Sequence, residues 1–229
     1  MVEIPPHFYF PIGAGLTYAI PLAAALRSGI GSLPAPLRVV SIYVAVTLVE
    51  SCVMTWLSIR SIENLWLIHI FTPVEVFLLL LAFARLQVHE LARTMILAMI
   101  PLFLITWAFL LVTSDSLADF PVYGRTVSAL LIVAVAAYTL LVLSQHALTA
   151  VTSQPWFWLT VGLLVYFPYL VMLNPLSSAL HGRSEELLFT LYRVNAALMI
   201  VSNLFITRAI LCQKRQSSGG SSSPRLSPA

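Results

Sequence analysis

The chain has 229 residues and a formal net charge of +3, with 59% hydrophobic and only 9% charged residues. Soluble domains carry ~25% charged residues, so Lys+Arg 12 and Asp+Glu 9 are too few to cover a water-facing surface. A water-soluble globular fold and a large extramembrane catalytic domain are excluded, and the basic residues form no stripe of the kind that grips nucleic acid.

A helix needs ~20 mostly apolar residues to cross ~30 Å of hydrocarbon. Seven runs meet that requirement, at approximately 8–26, 39–59, 65–84, 94–113, 126–144, 155–174 and 187–212. The alternation of a barrel strand is absent, and inside hydrocarbon only helices satisfy their own backbone. The predicted fold is therefore all-α, an integral membrane seven-transmembrane-helix bundle over residues 1–212. The first run has no Lys or Arg before Arg27, unlike the basic start of a cleavable signal peptide, so it is expected to remain as a span. Residues 213–229 include the low-complexity stretch QSSGGSSSPRLSPA and are expected to form a disordered cytoplasmic tail.

Orientation follows from the basic residues. Arg27, Arg38, Arg85, Arg93, Arg208, Lys214, Arg215 and Arg225 fall on one side, against Arg60, Arg125 and Arg183 on the other. The richer side is expected in the cytoplasm, with the N-terminus outside, in a bacterial inner (plasma) membrane. Trp66, Trp156 and Trp158 lie near span ends, where indole favours the headgroup region. Cys52 and Cys212 sit in separate apolar runs as small packing residues, with no disulfide or metal spacing. No metal or other cofactor is expected. The lipid bilayer is the expected partner, oligomerisation is compatible with the polar last helix, and nucleic acid is not a partner.

An ionisable side chain in a span costs ~2.5–3.5 kcal/mol on insertion scales and calls for company or a purpose. Glu50, His69, Glu75 and Arg193 are such residues. At 1.5 Å per residue, Glu50 lies ~10 Å, His69 ~6 Å and Arg193 ~9 Å below the outer ends of their helices, with Glu75 near the midplane. His69, Thr72 and Glu75 step back ~60° at a time around the third helix, forming a polar arc. Tyr166, Tyr169 and Asn174 reach similar depths on the sixth helix. The seventh adds Asn195, Ser202 and Asn203 on a different face from Arg193. The expectation is an outward-opening polar pocket lined by Glu50, His69, Thr72, Glu75, Tyr166, Tyr169, Arg193 and Asn195, in which Arg193 pairs with Glu50 or Glu75. His69 is the side chain that would tune such a site between pH 5 and 8. The competing reading is a buried ion pair that only fixes helix register.

The stretch IENLWLIHIFTPVEVFLLLLAF, residues 62–83, resembles a family of bacterial seven-helix membrane proteins without an assigned biochemical role. In that family an Asn-rich turn precedes a helix of the form His-(Ile/Leu)-(Tyr/Phe)-x-x-x-Glu, matched here by Asn64, His69, Ile70, Phe71 and Glu75. Glu50, the WFWLTVGLLVYF run and the asparagines of helix seven are also similar to that group. Other seven-helix classes fit poorly. The only Lys is Lys214, at the far end of helix seven, so a retinal Schiff base has no site. Only His69 lies well inside a span, too few for a ceramidase-like zinc site. A lycopene-cyclase-like Pro-x-Glu-Glu motif ends at Pro73-Val74-Glu75 with Val76 in place of its second acid. Fungal terpene cyclases share the helix number and an acid in helix two, but Glu50 follows Val49 rather than Trp.

Three functions from different classes are expected candidates. First is a sensory or ligand-binding module acting on a separate cytoplasmic signalling partner, since the chain has no output domain. An integral-membrane enzyme on a lipid or isoprenoid is the alternative, with Glu50 or Glu75 as general acid or base, its proton affinity altered by burial. The third is a small proton-coupled transporter, against which the missing internal repeat counts.

Overall fold

A computed structural model describes residues 9–115, 121–145, 150–180 and 183–219. The described residues are helical throughout, apart from short turns, and hold seven segments long and apolar enough to cross a membrane. The first span is two helices, α1 (Tyr9–Leu16) and α2 (Ala19–Ser28). The rest are one helix each: α3 (Ala35–Ile59), α4 (Leu65–Leu86), α5 (Glu90–Thr113), α6 (Val122–Gln145), α7 (Pro155–Leu180) and α8 (Glu185–Gly219).

Local chemistry explains the break in the first span. Pro21 has no N–H and its ring would strike the carbonyl four residues back, at Thr17. The Thr17 carbonyl instead accepts from the Ile20 N–H at 3.0 Å, and the Thr17 hydroxyl turns back onto the Ala14 carbonyl at 2.6 Å. That hydroxyl also accepts from the Asn203 side-chain amide at 2.8 Å, which ties the break to α8.

Helix α4 is the most deeply placed span. It touches α3, α5 and α6 and buries Leu67, Val76, Leu79, Leu80 and Phe83. Helices α7 and α8 share the most extensive contact, followed by α6 with α7, and α8 closes the bundle against α1 and α2. On α8 the inward ridge runs through Ala196, Ser202, Asn203, Ile206, Ala209 and Ile210, the three-and-four spacing of a helix face. Helix α5 buries only Ala92, Ile96 and Phe103 and leaves Leu91, Leu102, Ile105, Phe109 and Val112 outward. In water such a surface would aggregate; in hydrocarbon it is the expected lipid face. The protein is therefore a multi-pass membrane protein.

Several helices run past the expected apolar runs, α3 from Ala35, α5 from Glu90 and α7 to Leu180, and two further boundaries also differ. The tail read as disordered from residue 213 is helical to Gly219, continuing α8, while residues 220–229 lie outside the described residues. Helix α6 begins at Val122, four residues before the apolar run suggested. The Asp115 carboxylate sets that start, accepting the Gly124 N–H at 2.8 Å and the Tyr123 N–H at 3.3 Å. A helix start has unpaired N–H groups and a positive dipole end, and a carboxylate answers both. Gly124 permits the approach, since a β-carbon there would lie 3.2 Å from that carboxylate. The extra turn brings Arg125 into the helix.

Candidate functional site

Helix α3 supplies most of the site because its polar residues recur at helical spacing. Tyr43, Thr47, Glu50, Ser51, Thr55 and Ser58 lie three or four residues apart in succession, apart from the adjacent Glu50 and Ser51, so they share one broad face. From Thr47 to Ser58 that face lines a chamber of about 660 Å³. Its walls are Pro11, Ile12 and Gly15 on α1, Ile68 on α4 and Met199 on α8, while Arg125 and Tyr166 come from α6 and α7. The mouth lies at the α3–α4 turn, where Ser58, Ile59, Ser61, Ile62 and Glu63 are exposed.

At the inner end stands a charge network. The Arg125 guanidinium bonds the Glu75 carboxylate, Nη1 to Oε2, at 3.1 Å. The other Glu75 oxygen accepts from the Tyr43 hydroxyl at 3.2 Å. The two charged side chains are only 18% and 11% exposed. Tyr18 joins the network beside Tyr43, and the Asn195 side chain meets the Tyr166 hydroxyl. Glu50 faces the chamber within electrostatic reach of Arg125, yet makes no hydrogen bond or ion pair among the described residues. Ser51 and Thr55 likewise make no side-chain hydrogen bond among those residues. The arrangement has one paired acid, Glu75, and one open acid, Glu50.

The mouth is tightly built. Ile62 N–H bonds the Leu57 carbonyl and Ser61 N–H the Ser58 carbonyl, each at 3.0 Å, which is the Schellman closure of a helix end. That closure needs a left-handed residue, and here it is Ser61 with φ 56 rather than glycine. Asn64 reinforces the turn, its amide donating to the Met54 carbonyl at 3.0 Å and the Ser58 hydroxyl at 2.7 Å. Ser61→Gly should raise unfolding stability by about 1 kcal/mol, the left-handed penalty of a β-carbon, read as a higher thermal midpoint in lipid nanodiscs.

Of the residues expected at the site, Glu50 and Tyr166 line the chamber, and Glu75 stands behind it on Arg125. Arg193 requires correction. It is exposed on α8 beside Glu185, Glu186, Phe189 and Thr190, and the cation that meets Glu75 is Arg125. The reason is rotational: Arg193, Ala197, Val201 and Leu204 form the outward ridge of α8, and the asparagine-bearing face turns inward. Tyr169 stands away from the chamber, its hydroxyl donating to the Leu191 carbonyl at 2.9 Å. Thr72 is buried and spends its hydroxyl on the Ile68 carbonyl at 2.6 Å. His69 is 1% exposed and outside the chamber lining. Asn195 is outside it too; its side-chain oxygen is buried without a hydrogen-bond partner. Arg125, Tyr43, Tyr18, Ser51 and Thr55 were not expected. Tyr43 had a signal, lying two helical turns before Glu50 on the same face. Among the described residues no three His, Cys, Asp or Glu side chains gather where they would hold a metal ion.

The fold and site together define a seven-helix membrane protein with an open chamber of mixed polar and apolar lining. Compared with protein-family models, curated proteins and solved structures, the chain matches none.

Proposed function

We propose that the protein is a ligand-binding module of the membrane, whose chamber takes a small molecule and reports its presence to a cytoplasmic partner. The observation that carries this reading is Glu50, a carboxylate within a span that faces a 660 Å³ space and makes no hydrogen bond or ion pair among the described residues. A carboxylate in a membrane span is costly, and register alone is already served by the Glu75–Arg125 pair. The volume falls within the ~300–1,000 Å³ of ligand sites. With the Lys- and Arg-rich side in the cytoplasm, the mouth opens outside and the far end of α8 lies inside.

A route for reporting is at hand. The first span is jointed between α1 and α2 at Thr17, which is bonded to α8 through Asn203, and α8 itself lines the chamber with Met199. Helix α8 has 35 residues, about 50 Å at 1.5 Å per residue, which exceeds the ~30 Å of hydrocarbon. Movement of its chamber-lining half would reach the cytoplasmic end.

Thr55→Trp is the test of occupancy, because it puts an indole into the chamber one turn from Ser51 without removing a side-chain hydrogen bond. In a thermal-shift screen of small amphipathic molecules on the full chain in nanodiscs, ligands should raise the wild-type midpoint and leave Thr55→Trp unmoved. Equal shifts in both proteins, or none across the screen, would reject the reading.

A further inference from the structure

We infer that the chamber selects an organic monocation, an amine with a compact apolar body, and that Glu50 is its counter-ion. This rests on the ligand-binding reading above and adds the chemical class.

The argument is a charge balance. The single Arg125 cation at the chamber is already matched by Glu75 at 3.1 Å. What remains facing the space is Glu50 deep inside and Glu63 at the mouth, both acids. An anionic ligand would have to share the one Arg125 cation with Glu75 while facing the Glu50 carboxylate as well. An ammonium group instead meets an open carboxylate and leaves the existing pair intact. Its remaining N–H donors can be accepted by the Ser51 and Thr55 hydroxyls, one and five residues beyond Glu50 on the same helix and otherwise unbonded among the described residues. Ion pairs gain strength where water is scarce, so a carboxylate within a span discriminates charge sign more sharply than one in solution.

The rest of the lining sets the body of the ligand. Ile12, Met54, Ile68 and Met199 form the apolar wall. Methionine adapts its shape and tolerates aromatic groups against sulfur, which suits a small aryl or alkyl amine. Glu63 places a second carboxylate at the mouth, in the same turn as Arg60.

The experiment compares three near-isosteric probes on the full chain in nanodiscs: 2-phenylethylamine, 2-phenylethanol and 3-phenylpropionate. Binding is followed by calorimetry and thermal shift, in wild type, Glu50→Gln and Thr55→Trp. The amine should bind wild type best, and Glu50→Gln should weaken it by about tenfold or more, the effect of losing a charge-assisted bond. The alcohol should be little affected by Glu50→Gln, which also shows that the variant is folded. Equal or tighter binding of the carboxylate, or amine affinity unchanged in Glu50→Gln, overturns the cation assignment. If the alcohol still binds and Thr55→Trp abolishes it, the chamber reading survives that failure. If no probe distinguishes wild type from Thr55→Trp, both fall.

Discussion

Arg125→Met should destabilise the bundle by about 3–5 kcal/mol, the effect of stripping one partner from a buried ion pair. The magnitude depends on which electrostatic regime applies. Exposed pairs contribute about 0–1 kcal/mol because water screens them, but these side chains are 18% and 11% exposed inside a membrane bundle. Without Arg125, Glu75 would keep one hydrogen bond, from Tyr43. The same principle predicts the rescue. Removing both charges, as in Arg125→Met with Glu75→Gln, should recover most of the loss, because a buried pair and well-packed neutral groups are often nearly equivalent. The measurement is unfolding in SDS titration or by thermal midpoint for the two singles and the double, which yields their coupling energy. A loss below about 1 kcal/mol in Arg125→Met would place the pair in the solvated regime.

That same pair shows how far the sequence could be read. Seven spans were visible because hydrocarbon demands long apolar runs, and composition alone carries that signal. The need for a partner for Glu75 was also visible, as was the level at which polar groups gather. The identity of the partner was not. Arg125 follows Pro121 and Gly124, residues of turn chemistry, so it reads as a loop charge. Only the Asp115 carboxylate reaching across to the start of α6 converts that loop into a helical turn. Arg193 sits squarely in an apolar run and reads as buried, yet the rotation of α8 is decided by where its small and amide-bearing residues pack, at Ala196, Ser202 and Asn203. Depth follows from counting residues; azimuth follows from packing between helices, which one helix's sequence specifies weakly when it is apolar all round. Glu50 was legible as unusual, but the open space before it is a property of six helices at once.

Gly162→Leu should cost about 1–3 kcal/mol or more and weaken the chamber as well. Helix α7 packs directly against α8 there. A β-carbon on Gly162 would lie 3.0 Å from the Phe205 β-carbon and 3.1 Å from the Ser202 carbonyl oxygen, with Ile206 at 3.7 Å. Two of these neighbours are fixed to the α8 backbone, so relief requires moving the helix rather than turning a side chain. Small residues at such crossings let membrane helices approach where no hydrophobic drive assembles them. The helices are further registered by Trp158 stacked on Phe205 at 5.6 Å, with Arg208 over the indole at 5.7 Å. Tyr166 lies one turn beyond Gly162 on α7 and Met199 one turn before Asn203 on α8, and both line the chamber. Wedging the crossing apart should therefore lower the thermal midpoint and reduce affinity for any probe that fills the chamber. Even Gly162→Ala should be destabilising, against the gain of about 1 kcal/mol that alanine gives over glycine in a helix. Gly13 is the control: a β-carbon there meets nothing within 4 Å, so Gly13→Ala should be neutral or stabilising in the same assay. A Gly162→Ala protein as stable as Gly13→Ala would mean that α7 and α8 do not cross this closely.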